Sequence, residues 1–546
     1  MRGVAETADT LYRNGEVVAL DEAGRVVEAL AVRAGRIQAL GSEADVRRCC
    51  GPRTEEVDLA GGALLPGFID PHGHLTGVAR ASATADLAPP PVGPVETIAD
   101  LQRTLRGHLE ANAIASGEWL AGQGYDDSML AERRHPTRDD LDAVSTAHPI
   151  LVAHASGHLF AVNSRTLELA GLRADTPNPD GGVIRRRSGS REPDGVLEEM
   201  AGFALLGRIP APSDARQLEQ LDAAQRAYAG AGFTTVQDGA TLPADWQLLE
   251  RAARDGRLVV DVVSYPLLPA RAPIFESGVP RDAYLARLRI GGVKLFLDGS
   301  PQGKTAWLSE PYVVPPEGQP AQYRGYPLMK DEALASGLDT VLAEDLQLLV
   351  HTNGDQAAQQ LVDQLEAAQA RAGRRARRPV MVHAQTVRDD QLDRMAEIGL
   401  TPSFFVSHTF FWGDWHRDSV LGPERAARIS PVRSTLERGM RFTFHNDSPV
   451  TPPDALRLVW SAVNRRTRSG AVLGEAQCVG VLDALRGVTS NGAWQYGEER
   501  SKGTLEVGKI ADLVVLSANP LRVPPEDLLS IEVLQTIKDD EILAAG

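Results

Sequence analysis

Eight short apolar runs, spaced by helix-like segments, constrain this chain more than any other feature. In order they are "GALLPGFID", "GFTTVQDG", "LVVDVVSYP", "IGGVKLFLDGS", "LQLLVHTNGD", "RPVMVHAQT", "LTPSFFVSH" and "MRFTFHNDS". None alternates strictly, and runs of this kind suit strands buried on both faces, as in a parallel sheet. The segments between them suit helices. After His351, Asp355 is placed to cap a helix with Ala358, Leu361, Val362, Leu365 and Ala368 on one face, ending at Gly373. After His383, Leu392, Met395 and Ala396 repeat the pattern and Gly399 ends it. Eight strands with helical crossovers predict an α/β fold, a (β/α)8 TIM-like barrel.

The chain ends read differently. "GEVVALD", "RVVEALAVRAGRIQALG" and "EEVDLAGGALLPG" alternate apolar and polar residues between Gly and Asp turns. The tail, "KGTLEVGKIADLVVLSANP" and "IEVLQTIKDDEIL", returns to strand character. Residues 1–62 and 503–546 are therefore expected to form one small composite β-sandwich around a barrel spanning 63–502. One crossover is too long, because about 155 residues separate the first run from the second where a few tens suffice. An inserted subdomain, about 76–231, is expected after barrel strand 1. It holds a predicted helix at 98–110, with Thr97 and Asp100 spaced as a capping box and Ile98, Leu101, Leu105 and Leu109 on one face. It also holds a hairpin-like piece, "DGGVIRRRSGSREPDGVLEE".

Composition narrows the partners. A net charge of −16 over 546 residues repels nucleic-acid phosphates and anionic membranes, so neither is expected as a partner. The basic stretch "RAGRRARRP" reads as a solvated helix end. The three cysteines, Cys49, Cys50 and Cys478, form no CxxC spacing, and the first 20 residues carry no apolar leader core. No apolar run reaches the roughly 20 residues that span a bilayer. A cytoplasmic protein acting on a small-molecule substrate is the expectation.

The chemistry lies at the strand ends. His72 and His74 are spaced i, i+2 and point together just past the first run, at the end where barrel enzymes keep their active sites. Two imidazoles so placed can share one divalent metal. His351, His383 and Asp447 end three further runs, and Lys294 sits inside a fourth. The chain has only six lysines, so one in an apolar run stands out. Burial lowers an amine's pKa, and a neutral amine can take up CO2 as a carbamate whose two oxygens bridge two metals. The alternative is an ion pair with Asp298 or another acid. His72, His74, Lys294, His351, His383 and Asp447 are thus candidate ligands of one shared metal site, and zinc is expected for His-rich, oxygen-completed ligation at one or two ions per chain.

"PGFIDPHGHL", "VKLFLDGS", "VHTNGDQA", "VHAQ", "HNDSPV" and "GTLEVGKIADLVVL", in this order, resemble the amidohydrolase superfamily. They are most similar to the branch that includes N-substituted formamide deformylases. Even the insertion resembles that branch, in "GEWLAGQGYDDS", "SGHLFAVNS" and "PDGGVI". The resemblance implies a metal-dependent hydrolase in which His72 and His74 bind the more buried metal and His351 and His383 the second. A carboxylated Lys294 would bridge them, and Asp447 would hold the first metal and handle the catalytic proton. It also admits a homo-oligomer. One departure is "HNDSP", where the family often shows a Gly-Ser-Asp-Ala type of sequence; His445 and Asn446 then alter the pocket's shape.

The reaction expected is hydrolysis of a non-peptide C–N bond in a small amide, of the N-substituted formamide or N-acyl type. Alternatives are a cyclic amide, carbamate or ester, or a non-catalytic binding protein on the same fold. Candidate substrate-binding residues are His158, Lys304, His408, Trp412 and His416. The last three come from "SFFVSHTFFWGDWH", an aromatic loop after the seventh run. Tyr125, Asp126 and Asp127 either reach the pocket or form an Asx-capped turn. His154 is expected to be structural, and His108 and His135 to be solvated or on a helix face. "DGSPQGKTAWL" lacks phosphate-loop spacing, and Ser156 and Ser300 lack a nucleophile-elbow context.

Overall fold

The computed structural model describes residues 7–281 and 283–545; the first six residues of the N-terminal stretch read above lie outside them. Strands β1 (Phe68–Ile69), β2 (Phe233–Thr241), β3 (Asp261–Pro266) and β4 (Leu288–Ile290) form one parallel sheet in chain order. Strands β5 (Val293–Phe296), β6 (Gln347–Thr352), β7 (Arg377–His383), β8 (Thr401–Phe404) and β9 (Thr443–Phe444) form a second, also parallel and in chain order. Only Gly291 and Gly292 separate β4 from β5. A side chain at Gly292 would stand 2.1 Å from the Gln347 carbonyl oxygen, so only glycine fits there. A parallel bridge between Leu267 and Lys294 links the two sheets at that edge. Just beyond β1 and β9, Asp447 N–H donates to the His72 carbonyl (3.3 Å) and His74 N–H to that of Ser448 (2.9 Å).

The crossovers are helical. Asp355–Ala372 buries Ala358, Leu361, Val362, Leu365 and Ala368, and Gly373 closes it in the left-handed conformation at φ +64°. Its N-cap is Gly354 and not Asp355. The Asp355 carboxylate turns outward to accept Ser309 N–H (2.9 Å) and Arg388 (2.9 Å). Asp389–Ile398 buries Leu392, Met395 and Ile398, while Ala396 faces solvent. Arg371, Arg374 and Arg378 pair with Asp339, Asp345 and Glu499 at 2.7–2.8 Å, so three of the five arginines in the basic stretch have local counter-ions.

The long connection folds as a six-stranded sheet built from residues 85–199. Helix Ile98–Ala111 starts at the Thr97–Asp100 capping box and buries Ile98, Leu101 and Leu105. Gly182–Arg186 and Pro193–Glu199 pair as an antiparallel hairpin.

The first apolar run serves two sheets. Ala63–Pro66 pairs with Leu513–Leu516 on one side and Glu16–Val18 on the other, and only Phe68–Ile69 joins the parallel sheet. Gly67 makes the turn between them; a Cβ there would lie 2.4 Å from the Thr234 side chain. Both chain ends thus share a six-stranded sheet, and their core mixes Val17, Leu30 and Val32 with Leu513, Val515 and Ile537. A buried ionic network joins that sheet to β3: Lys538 contacts Asp512 (2.9 Å) and Asp261 (3.0 Å), and Lys502 contacts Asp261 and Glu498 (3.0 Å). Among the described residues no helix is long and apolar enough to cross a membrane.

Candidate metal centre

The C-terminal ends of β1, β6, β7 and β9, with Lys294 inside β5, bring the six residues singled out by the sequence toward one point. His72, His383 and Asp447 place one ligand atom each within 4.8 Å of one another. His74 Nε2 lies 3.3 Å from Asp447 Oδ1, as does His72 Nε2. His351 packs on His383 with ring centroids 4.5 Å apart. Lys294 Nζ lies 3.2 Å from His72 Nε2.

The partners of these imidazoles fix their tautomers. His74 Nδ1 faces the Gly239 carbonyl (2.7 Å), which can only accept, so Nδ1 carries the proton. His72 Nδ1 faces Gln237 Oε1 (2.7 Å), because the Gln237 amide nitrogen donates to the Pro71 carbonyl (2.6 Å). Both Nε2 atoms are therefore turned toward the Asp447 carboxylate. Burial, then Lys294, pulls His72 down to about 4, so it stays neutral at ordinary pH. Burial pushes the Asp447 carboxyl up, but His72, His74 and His383 outweigh it and hold it well below the usual range. His383 Nε2 is buried without a hydrogen-bond partner, while its Nδ1 meets His445 Nε2 (3.2 Å), backed by Ser403 (2.8 Å). This donor set fits a divalent metal.

Lys294 is fully buried, and among the described residues no carboxylate lies within the 4.0 Å of an ion pair. Asp298 is not its partner, since that carboxylate accepts N–H groups from Trp307 (3.0 Å), Asn353 (2.9 Å) and Gly354 (2.7 Å). Burial pulls the Lys294 amine down to about 7, with Asp447 opposing.

The insertion reaches the centre. His158 Nε2 lies 3.2 Å from His351 Nε2, and its Nδ1 is held by the buried Glu199 at 2.7 Å. Burial lowers the His158 pKa, but Glu199 outweighs that and raises it. The aromatic loop forms a further layer. His408 contacts His416 (3.0 Å), and Trp412 packs at a tilt against His408 (ring centroids 4.6 Å apart) and donates to Asp126 (2.6 Å). Lys304 Nζ donates to Ser419 (2.8 Å) and lies over Trp415 (4.6 Å). Asp126 both lines a cleft beside the centre and makes the Asx turn, accepting Ser128 N–H at 2.9 Å.

His135 departs from expectation. It is buried, with Nε2 3.6 Å from Asp127 and Nδ1 3.2 Å from the Tyr125 hydroxyl, because the inserted sheet folds over the turn that carries it. His154 lies 3.1 Å from Asp127. Gln237 and Glu199, which orient His72 and His158, were not singled out by sequence; a Gln inside an apolar run was the one signal for the first. His445 and Asn446, the residues departing from the family pattern, act as props. His445 holds His383, and Asn446 donates to the buried Asp70 (3.3 Å).

The amidohydrolase family model matches residues 55–544. The chain belongs to the amidohydrolase family. It is 27% identical to the putative amidohydrolase YtcJ of Bacillus subtilis, over 98% of this chain and 99% of that one. It is 29% identical to the N-substituted formamide deformylase of Arthrobacter pascens, over 98% of each. Among solved structures, an uncharacterised metal-dependent hydrolase from Pyrococcus horikoshii superposes with a TM-score of 0.73 at 25% identity, covering 94% of this chain and 99% of that one.

Proposed function

We propose that this amidohydrolase is a metal-dependent hydrolase of a non-peptide C–N bond in a small amide, of the N-substituted formamide or N-acyl type. The observation that carries the reading is the convergence of His72 Nε2 and His74 Nε2 on Asp447 Oδ1, at 3.3 Å each, beside the buried and partnerless His383 Nε2. The likeness to the Arthrobacter deformylase supports the substrate class.

In this reading β4 and β5 are one strand interrupted at two glycines, and the two parallel sheets close into a single (β/α)8 barrel through the contacts at both edges. The barrel occupies 63–502 with the insertion at 76–231, and 1–62 with 503–546 form the composite sandwich. His72, His74 and Asp447 would hold a divalent metal, zinc by ligand type, and His351 and His383 a second. Lys294 would take up CO2, its amine nitrogen bonding the carbon and releasing a proton, to bridge the two as a carbamate. When bound, the metal supplies Lewis-acid polarisation of the carbonyl and lowers the pKa of water.

The chain's own residues do the rest. Asp447 takes a proton from the attacking water on a carboxylate oxygen and delivers it to the leaving nitrogen. Gln237 and Gly239 keep the Nε2 atoms of His72 and His74 turned inward. The His158 Nε2–H is placed to donate to the developing oxyanion, with Glu199 fixing the ring. A cytoplasmic protein without nucleic-acid or membrane partners completes the proposal.

The test is metal content per chain, on protein purified without chelator or nickel, followed by turnover on small formamides and N-acyl amines. One or two divalent ions and chelator-sensitive release of amine are expected. No bound metal after reconstitution with zinc and bicarbonate would overturn the reading.

A further inference from the structure

Beside the metal centre, between the inserted sheet and the loop after β9, lies a cleft of ≈ 380 Å³. Pro90, Trp412, Pro449 and Pro452 give it mostly apolar walls, and Ser448, the residue after Asp447, lies on its lining. A group attached to an amide carbonyl at the centre would extend into it. The size and lining suit a small organic substituent.

The charged groups on this lining are Asp86, Asp126 and Arg468. Asp126 is not free. It accepts from Trp412 Nε1 (2.6 Å), Ser128 N–H (2.9 Å) and Ser128 Oγ (2.6 Å), and it is buried. Asp86 lies at the exposed rim and accepts Ala88 N–H (3.0 Å). Arg468 differs from both. It is half-buried, one of its nitrogens donates to the Pro90 carbonyl, and among the described residues no carboxylate stands within 4.0 Å of it. Burial works against its charge, and Asp126 and Asp414 favour that charge only from a distance. A guanidinium has five N–H donors in a planar fork, and one carbonyl leaves most of them free to meet a carboxylate in two parallel bonds.

The geometry points to Arg468 as a specificity-determining residue that binds a carboxylate on the substrate's N-substituent. The preferred substrates are then amides whose nitrogen carries an apolar body ending in an acid, with the body against Trp412 and the prolines and the acid on Arg468. This inference rests on the amide-hydrolase reading above and names the substrate class within it.

The experiment pairs N-formylphenylalanine with its uncharged counterpart N-(2-phenylethyl)formamide. The measured quantity is the ratio of their kcat/KM values in the wild type, Arg468→Met and Arg468→Lys. The wild type is expected to favour the acid. The ratio falls about 30-fold in Arg468→Met, mostly through KM, as loss of a charge-assisted pair requires, and recovers in part in Arg468→Lys. An unchanged ratio in Arg468→Met, or a wild type that favours the neutral amide, overturns the inference and leaves the hydrolase reading standing. Binding of 3-phenylpropanoate is followed in parallel by calorimetry and needs no turnover. If neither formamide is hydrolysed, the hydrolase reading fails for this class. A tenfold or greater loss of 3-phenylpropanoate affinity in Arg468→Met still supports the acid site, and equal affinity overturns it.

Discussion

Replacing Lys294 by Met in metal-stripped, CO2-free protein is expected to stabilise the chain in acid and to destabilise it slightly in base. Lys294 is fully buried, and burial moves its amine from an ordinary 10.5 to about 7. That difference corresponds to on the order of 5 kcal/mol between the charged and neutral forms. Met fills a similar volume with no charge, at the loss of the Nζ···His72 Nε2 contact of 3.2 Å, which is worth about 2 kcal/mol. A net gain of about 3 kcal/mol remains. Below pH 7 the amine is protonated in both folded and unfolded wild type, so the full burial cost is felt. Between 7 and 10.5 the folded amine is neutral while the unfolded one still binds a proton, and wild-type stability climbs with pH. The two curves should therefore cross at about pH 9, and by pH 10.5 wild type should lead by the roughly 2 kcal/mol of the lost contact. Urea midpoints after chelator dialysis, taken at several pH values across this range, measure the gap. A variant less stable than wild type in acid, or a gap independent of pH, would refute the reasoning, because it would mean that Lys294 has a counter-charge. In metal- and CO2-loaded protein the sign should reverse, since Met cannot form the carbamate.

Asp447→Asn should keep most of its bound metal yet lose at least about 1,000-fold in turnover, because an amide cannot shuttle the proton; stopped-time amine release checks this, and near-normal turnover removes Asp447 from that role. Gln237→Leu frees His72 Nδ1 and should weaken zinc binding about 10- to 100-fold, read by competition with a chromophoric chelator. Lys538→Met leaves Asp512 and Asp261 short of a buried counter-ion and should destabilise the chain by about 3–5 kcal/mol without changing metal affinity, read by denaturant unfolding alongside metal titration.

The site residues were legible because all but Lys294 followed an apolar run, Lys294 stood inside one, and parallel strands gather their C-terminal ends at one edge of the sheet. His72, His74, Lys294, His351, His383 and Asp447 do converge, although a sequence carries no distances. What escaped was set by tertiary packing. Glu199 closes a segment that reads only as a hairpin, yet its register brings the carboxylate to His158 at 2.7 Å. His135 follows two arginines and looks solvated until the inserted sheet covers it. Arg468 sits in a polar, turn-like stretch, and nothing local shows that the cleft behind it is apolar. The run "GALLPGFID" reads as one strand, and its division at Gly67 follows from contacts with Thr234 and with the tail more than 400 residues on.

That division has a consequence for how the protein is made. Ala63–Pro66 lies between Glu16–Val18 and Leu513–Leu516, so one side of it stays unpaired until nearly the whole chain has been synthesised. At ordinary translation speeds that wait is on the order of a minute. Throughout it the nascent chain carries an apolar strand with open backbone donors and acceptors, a template for wrong partners. Only when Lys538 emerges can it reach Asp261 at the foot of β3 and lock the tail in place. The last 40 or so residues thus act as the latch that ends a vulnerable interval, and expression should suffer far more from a shortened C-terminus than the small area of that segment would suggest.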